Sequence, residues 1–207
     1  MSKLLIFKYL KYLFSSKNRH GTHSPFIYDL ITKVLNDKEY KKEYSQLQKL
    51  KNTKLTKIKV KHQRLIYRLI KYFNPENILV IGESKHTRTL FLSKMNPNSS
   101  VFFYNTRLEK ISEIEKHNRK HIKHFDFIYI DTKYNANLTL KSFISKIKYV
   151  HNNSVIVIKN IRRSKETEKT WKQIINQKDV SVSVDLFFTG LVFFRKEQAK
   201  EKFIIRF

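Results

Sequence analysis

Four short apolar runs without polar alternation constrain the fold of this chain more than any other feature. The runs are Ile78–Ile81, Val101–Tyr104, Phe127–Ile130 and Val155–Ile158. The segments between them have helical patterns of apolar residues, at Thr89–Lys94, Ile111–Lys123 and Leu138–Tyr149. Strands that are apolar on both faces and alternate with helices are typical of a parallel sheet covered on both sides. The pattern therefore predicts an α/β fold with a mainly parallel sheet.

The C-terminal part of the chain has a different pattern. Trp171–Asn176 ends a predicted helix, and Val180–Val184 then alternates apolar and polar residues, as a half-exposed strand does. Phe187–Gly190 predicts a turn, and Leu191–Phe194 predicts a returning strand. We therefore expect a C-terminal antiparallel hairpin that closes the parallel sheet.

The N-terminal part divides from the rest by composition. We predict an N-terminal helical segment and basic connection over 1–60, followed by the sheet domain over 61–207. Lys3–Phe14 has a helical pattern whose apolar positions cover most of the helix circumference. Such a helix can pack on its own domain or lie at a membrane interface, and the first arrangement is commoner.

Two further helices are predicted before the first apolar run. Ser24 is a natural N-cap for a helix over Pro25–Asn36, because proline fits the first helical position. Lys41–His62 is the most basic stretch and lacks an apolar period, which indicates a connection. Gln63–Phe73 has one apolar face and predicts a helix that Asn-Pro ends.

The chain is strongly basic, with 43 Lys+Arg against 17 Asp+Glu and a net charge of +26. Such a charge is typical of binding to nucleic acid or to an anionic membrane. However, 33 of the cations are Lys and 10 are Arg, whereas phosphate sites often favour Arg. Lys, Ile and Asn are abundant while Ala, Gly and Pro are scarce, which is also the composition that an AT-rich genome produces. We therefore expect any binding of nucleic acid to be non-specific.

Several chemistries are excluded by composition. There is no Cys, so the chain has no disulfide, thiolate zinc site or cysteine nucleophile. No apolar run approaches the ~20 residues of a membrane-spanning helix, and we expect a cytoplasmic protein. His117, His121 and His124 would share a helix face, but no Glu accompanies them in the metalloprotease arrangement and there is no Cys, so we predict no metal site.

Five segments together resemble one bacterial branch of the class I S-adenosylmethionine (SAM)-dependent methyltransferases. They are Arg19–Phe26, Tyr72–Phe73, Asn77–Gly82, Val184–Phe187 and Gly190–Gln198. The resemblance extends over most of the chain from about Lys17 to Phe207. It implies a Rossmann-like methyltransferase fold, SAM as cofactor and a methyl acceptor of unknown identity.

The resemblance implies that SAM binds at a glycine-rich turn after the first strand. Gly82, Glu83 and Ser84 are the residues of this chain in that turn. The family has an acid in the strand and a second glycine in the turn, where this chain has Val80 and His86. A β-carbon at a position that requires positive φ costs ~1–2 kcal/mol, so the turn is expected to be less suited to SAM.

The resemblance also implies acids at the ends of later strands. Asn105 stands where a carboxylate would accept hydrogen bonds from the ribose hydroxyls, and an amide is the weaker acceptor. Asp131 is retained at the end of the next apolar run, while Lys159 ends the one after. Two interpretations of Asp131 stay open. It orients the acceptor or the SAM amine, or it pairs with Lys133 or Lys159 and has no chemical role.

The connection after the second strand is short for this family. Only 20 residues, 106–125, separate Tyr104-Asn105 from Asp126. A helix, a strand and another helix need more, since ordinary helices and strands have ~11 and ~5 residues. We therefore expect the third strand to be lost or reduced to a turn.

We interpret the chain as a SAM-dependent methyltransferase by descent, with a weakened or lost SAM site. If it is active, catalysis would be mainly by proximity of the methyl group and the acceptor. The first alternative is a non-catalytic methyltransferase-like protein that binds a partner or an anionic surface. The second alternative is an RNA methyltransferase.

Overall fold

The computed structural model describes residues 3–17, 23–37, 39, 41–45, 60–82, 96, 98–105, 110–115, 124–131 and 147–207. The α-helices are α1 (Lys3–Ser15), α2 (Pro25–Leu30), α3 (Val60–Phe73) and α4 (Lys165–Ile175). A π-helical turn, Ile31–Leu35, continues α2, and Ile147–Tyr149 forms a 3-10 turn. These elements confirm the four helices predicted at Lys3–Phe14, Pro25–Asn36, Gln63–Phe73 and Trp171–Asn176. The predicted helix at Thr89–Lys94 and most of the one at Leu138–Tyr149 lie outside the described residues.

The described residues form one eight-stranded sheet with the order β3-β2-β1-β4-β5-β7-β6-β8. The strands are β1 (Asn77–Gly82), β2 (Ser100–Asn105), β3 (Lys110–Glu115), β4 (Phe127–Asp131), β5 (Val155–Lys159), β6 (Val182–Asp185), β7 (Thr189–Phe193) and β8 (Glu201–Ile204). Strands β2, β1, β4 and β5 are parallel neighbours, and β7 runs antiparallel between β5 and β6. The predicted parallel sheet and its antiparallel hairpin are therefore confirmed.

The central strands lack polar alternation because each of their faces contacts a different hydrophobic core. In β1, Ile78 and Val80 belong to the core that includes α2 and α3. Leu79 and Ile81 belong to the other core, together with Trp171 of α4. Since both cores exclude water, apolar side chains are favoured on both faces of the strand.

The segment after β2 differs from both sequence predictions. The predicted helix at Ile111–Lys123 is wrong for Ile111–Glu115, and a third strand exists instead of being lost or reduced to a turn. Strand β3 runs antiparallel to β2. Only residues 106–109 separate the two strands, and a parallel crossover needs a dozen or more residues. The short connection therefore sets the direction of β3.

The start of α2 packs against the C-terminal part of the chain. The side chain of Ser24 caps α2, since its Oγ accepts a hydrogen bond from the backbone N–H of Ile27 at 3.4 Å. Gln198 Nε2 donates to the same Oγ at 2.8 Å. The guanidinium of Arg195 lies 4.4 Å from the centre of the Phe26 ring. Two segments that are remote in sequence thus contact each other.

None of the helices in the described part of the chain has the length and the apolar composition that crossing a bilayer requires.

Candidate active site

Polar residues meet where the central parallel strands end. The strand register places Gly82 of β1 beside Asn105 of β2, and Asp131 of β4 beside Lys159 of β5. Because β1 lies between β2 and β4, these residues share the carboxyl edge of the sheet. Open α/β sheets bind their ligands at this edge. The structure therefore brings together three of the residues selected from the sequence, Gly82, Asn105 and Asp131. The others, Glu83 and Ser84, lie outside the described residues together with His86.

Asp131 is a buried carboxylate with two polar neighbours at this edge. Its side chain has no exposed surface. Asn160 Nδ2 donates a hydrogen bond to Oδ1 at 3.1 Å, and Lys159 Nζ lies 3.8 Å from Oδ2. An ionised carboxylate removed from water is costly unless charges and hydrogen-bond donors surround it. The two neighbours supply such an environment, while Lys133, the other candidate partner, lies outside the described residues.

The residues that follow β5 and β6 have a strained backbone. Asn160 has a φ of 63° and Phe187 a φ of 68°. Asn tolerates this left-handed region, but Phe adopts it rarely, and such strain costs of order 1–3 kcal/mol. The two turns are joined because the backbone N–H of Asn160 donates to the carbonyl of Phe188 at 2.6 Å.

An ion pair holds the strained turn in place. Arg162 donates from two nitrogens to the two carboxylate oxygens of Asp185, both at 2.6 Å. The same side chain donates to the carbonyl of Phe187 at 2.8 Å, and the N–H of Phe187 donates to Asp185 Oδ1 at 2.8 Å. We call Arg162, Asp185 and Phe187 the turn clamp. It fixes the β6–β7 turn against the end of β5, beside Asp131 and Asn160.

His62 is a titratable residue of this region that the sequence analysis did not select. It lies in the first turn of α3, which ends just before β1 begins, so its position is at the carboxyl edge. Nε2 is 3.0 Å from the hydroxyl of Tyr129, and Nδ1 is 3.2 Å from the hydroxyl of Thr189. An imidazole can accept a proton on one nitrogen while the other nitrogen keeps its hydrogen bond. No local motif marks His62, because its partners lie 67 and 127 residues further along the chain.

The other described histidines and acids do not form a metal centre. No group of three His, Asp or Glu side chains within the described ranges is placed to hold a metal ion. His151 Nε2 contacts Asp126 Oδ1 at 2.7 Å, and His124 packs against the ring of His151. These residues lie beside the start of β4, at the edge opposite the candidate site. His117 and His121 are outside the described residues.

No protein-family model and no curated protein sequence matches this chain. Several solved structures do. An O-methyltransferase from Bacillus cereus in complex with S-adenosylhomocysteine (SAH) is 16% identical with a TM-score of 0.51, over 77% of this chain and 94% of that one. The SAH-bound methyltransferase PaMTH1 from Podospora anserina is 10% identical with a TM-score of 0.53, over 78% and 92%. A proposed caffeoyl-CoA O-methyltransferase from Staphylococcus aureus is 14% identical with a TM-score of 0.52, over 74% and 93%. Because these sequence identities are low, the similarity establishes the fold alone. The predicted Rossmann-like methyltransferase fold is therefore confirmed.

Proposed function

We propose that this chain is a SAM-dependent methyltransferase by descent that binds SAM weakly at the carboxyl edge of its sheet. One observation carries the proposal: the register of the central strands places Gly82, Asn105 and Asp131 side by side at that edge. The fold supports it, since two similar structures are methyltransferases that contain SAH, the product that SAM leaves after methyl transfer.

The described residues at this edge would offer SAM fewer charged contacts than the resemblance implies. Asn105 is half-buried at the end of β2, where its amide can hydrogen-bond the ribose hydroxyls. Asp131, the last residue of β4, is the one acid among the described residues that end the central strands. Val80 is buried among apolar side chains of the helix-covered core, so the strand offers no acid there. We therefore expect weakened binding of SAM.

The chain's own residues would act on the methyl acceptor. Bound SAM supplies an electrophilic methyl group. The carboxyl edge would hold the acceptor in line with that group, and such positioning is the main source of rate in transfers of this kind. A proton from an acceptor hydroxyl would reach Nε2 of His62 through the hydroxyl of Tyr129, which gives its own proton to Nε2 and takes the acceptor's, while Nδ1 keeps its contact with Thr189. The turn clamp would keep the neighbouring backbone rigid.

Calorimetry with SAM and with SAH tests the proposal. A lost charged hydrogen bond costs ~1.5–3 kcal/mol and a strained turn ~1–2 kcal/mol. We therefore expect this chain to bind SAM about 10²–10³-fold more weakly than a site with a Kd near one micromolar. The double variant His86→Gly, Asn105→Glu should recover at least about tenfold, because it restores the glycine and the ribose acid together. Asp131→Asn should weaken binding further, whereas Asp179→Asn, at an exposed position, should not.

Two results would contradict the proposal in different ways. Wild-type binding near one micromolar would mean that other groups have rebuilt the site and that SAM binding is not weakened. No detectable binding by either the wild type or the double variant would mean that this edge is not a SAM site. Thermal unfolding of each variant would show whether the fold is retained.

A non-catalytic methyltransferase-like protein is the second candidate. The contacts of Asp131 with Lys159 and Asn160 favour this candidate, because the oxygens of the retained carboxylate then interact with the protein's own side chains and not with a ligand. In this case SAM would not bind, and the surface of the protein would carry the function. The RNA methyltransferase hypothesis stays a prediction.

A further inference from the structure

Helix α1 is fixed to the protein by one of its faces. The rings of Tyr9 and Tyr12 pack on Phe187, with ring centroids 4.9 and 5.2 Å apart. The hydroxyl of Tyr12 donates a hydrogen bond to the carbonyl of Ile205. Lys8 pairs with Glu168 of α4. These contacts position the helix firmly, so its opposite face has a defined orientation.

The opposite face of α1 is apolar and exposed. The exposed fractions are 46% for Ile6, 67% for Phe7, 48% for Leu10, 91% for Phe14 and 55% for Leu4. At 100° per residue, the first four lie within about 100° of arc, centred away from Tyr12. In the described part of the chain, only Tyr28 and Phe188 are exposed large apolar residues outside α1. We call Leu4, Ile6, Phe7, Leu10 and Phe14 the outer face of α1.

A contiguous apolar patch of this kind marks a site of contact with a membrane or another protein. The size of the outer face argues against a stable protein interface. The exposed fractions of its five side chains, at about 200 Å² for a fully exposed large apolar residue, amount to on the order of 600 Å² of accessible surface. A stable protein interface buries about 800 Å² on each partner. Insertion into lipid headgroups needs only a helix that lies in the plane of the interface.

The charge around the outer face decides between a second copy and a lipid surface. Lys11 is exposed on α1, about 90° around the helix from the centre of the outer face, and Lys17 is exposed just beyond the end of the helix. A second copy would bring its own charge of +26 to this contact, whereas an anionic bilayer attracts it.

From these observations we propose that the outer face of α1 docks this protein on the surface of an anionic lipid bilayer. The apolar side chains of α1 insert at the level of the headgroups and acyl chains, as those of interfacial helices do. Lys11 and Lys17 contact the anionic headgroups. Docking does not depend on SAM, so it is independent of the proposed function.

Cosedimentation with vesicles tests the proposal. The probe is 30% phosphatidylserine in phosphatidylcholine at 0.1 M KCl, with pure phosphatidylcholine as the comparison. We expect wild-type protein to bind the anionic vesicles, and Phe7→Ser, Phe14→Ser to lower the partition coefficient at least about tenfold. The control is Tyr28→Ser, which removes an exposed aromatic residue outside the outer face and should not change binding. Since all three side chains are exposed, the variants should retain the wild-type Tm.

Three outcomes would overturn the proposal. One is wild-type protein that does not bind anionic vesicles. Another is equal binding by the wild type and the double variant, because charge alone would then account for the contact. The third is a dimer in sedimentation velocity that the double variant abolishes while vesicle binding is unchanged, because the outer face would then be a contact between copies. A second pair, Leu4→Ser and Leu10→Ser, should reproduce the loss seen with the phenylalanines.

Discussion

At the scale of single residues, Gly190 of β7 shows how closely α4 packs on the sheet. A β-carbon at this position would lie 2.5 Å from Cζ3 and 2.6 Å from Cη2 of Trp171. The φ of Gly190 is not positive, so packing and not backbone conformation requires glycine here. The indole of Trp171 thus rests directly on the backbone of a strand.

We expect Gly190→Ala to lower the free energy of unfolding by about 1–3 kcal/mol, because the added methyl group overpacks the contact with Trp171. Urea unfolding measures the change. The double variant Gly190→Ala, Trp171→Phe should lose less stability than the two single variants combined, since the smaller ring makes room for the methyl group. Additive losses would show that the clash is not the cause.

Tyr12 predicts an alkaline dependence of stability. Burial raises the pKa of Tyr12 from 10.0 to about 12. The unfolded chain therefore releases this proton at lower pH than the folded protein does, and the contribution of Tyr12 is complete below pH 10 and lost as pH rises towards 12. We expect Tyr12→Phe to flatten the fall in unfolding free energy between pH 10 and 12. The exposed Tyr28→Phe is the control, and an unchanged slope in Tyr12→Phe would refute the assignment.

The sequence could identify only those site residues that end an apolar run. Gly82, Asn105 and Asp131 are the last residues of β1, β2 and β4, so their common edge follows from the parallel sheet. His62 and the turn clamp depend instead on contacts between segments that are distant along the chain. Local patterns contain no information about such pairs, because the register of the strands and the packing of α3 create them.

At the scale of elements, the sequence predicts best the strands and helices that a single core determines. The apolar runs of β1, β2, β4 and β5 are unambiguous since each is buried on both faces. The residues of β3 alternate irregularly and fit a helix or a strand, so pairing with β2 decides between them. The π-helical turn after α2 has no comparable sequence signal.

The turn clamp joins β5, β6 and β7, and its removal should weaken this part of the sheet. We expect Arg162→Ala to lower the unfolding free energy by about 3–5 kcal/mol, because it leaves the buried carboxylate of Asp185 without its bidentate partner. The matched control is Lys33→Ala, which breaks the exposed pair with Asp29 and should change the unfolding free energy far less, because water and salt screen that pair. Similar losses in both variants in urea unfolding would contradict this role of the clamp.

At the scale of the whole molecule, the charge of +26 predicts salt-sensitive contact with nucleic acid. With six or more Lys–phosphate contacts, affinity should fall by ~10³ or more between 50 and 200 mM salt. Competition against scrambled RNA measures specificity, and we expect no preference. An RNA bound at least ~100-fold more tightly than its scrambled form would instead support the RNA methyltransferase hypothesis.

The hydrogen bond between Tyr12 and Ile205 sets how late during translation α1 can pack on the rest of the protein. It joins residues that are 193 positions apart, and Lys17 makes backbone hydrogen bonds with Ile204 and Arg206 beside it. A ribosome that adds about 5–20 residues per second needs about 10–40 s to pass from one partner to the other. Throughout that interval the chain lacks the residues around Ile205 that α1 contacts. Both apolar faces of the nascent helix are then available to chaperones or lipid, and residues 204–206 can cover the inner face only after they have been translated.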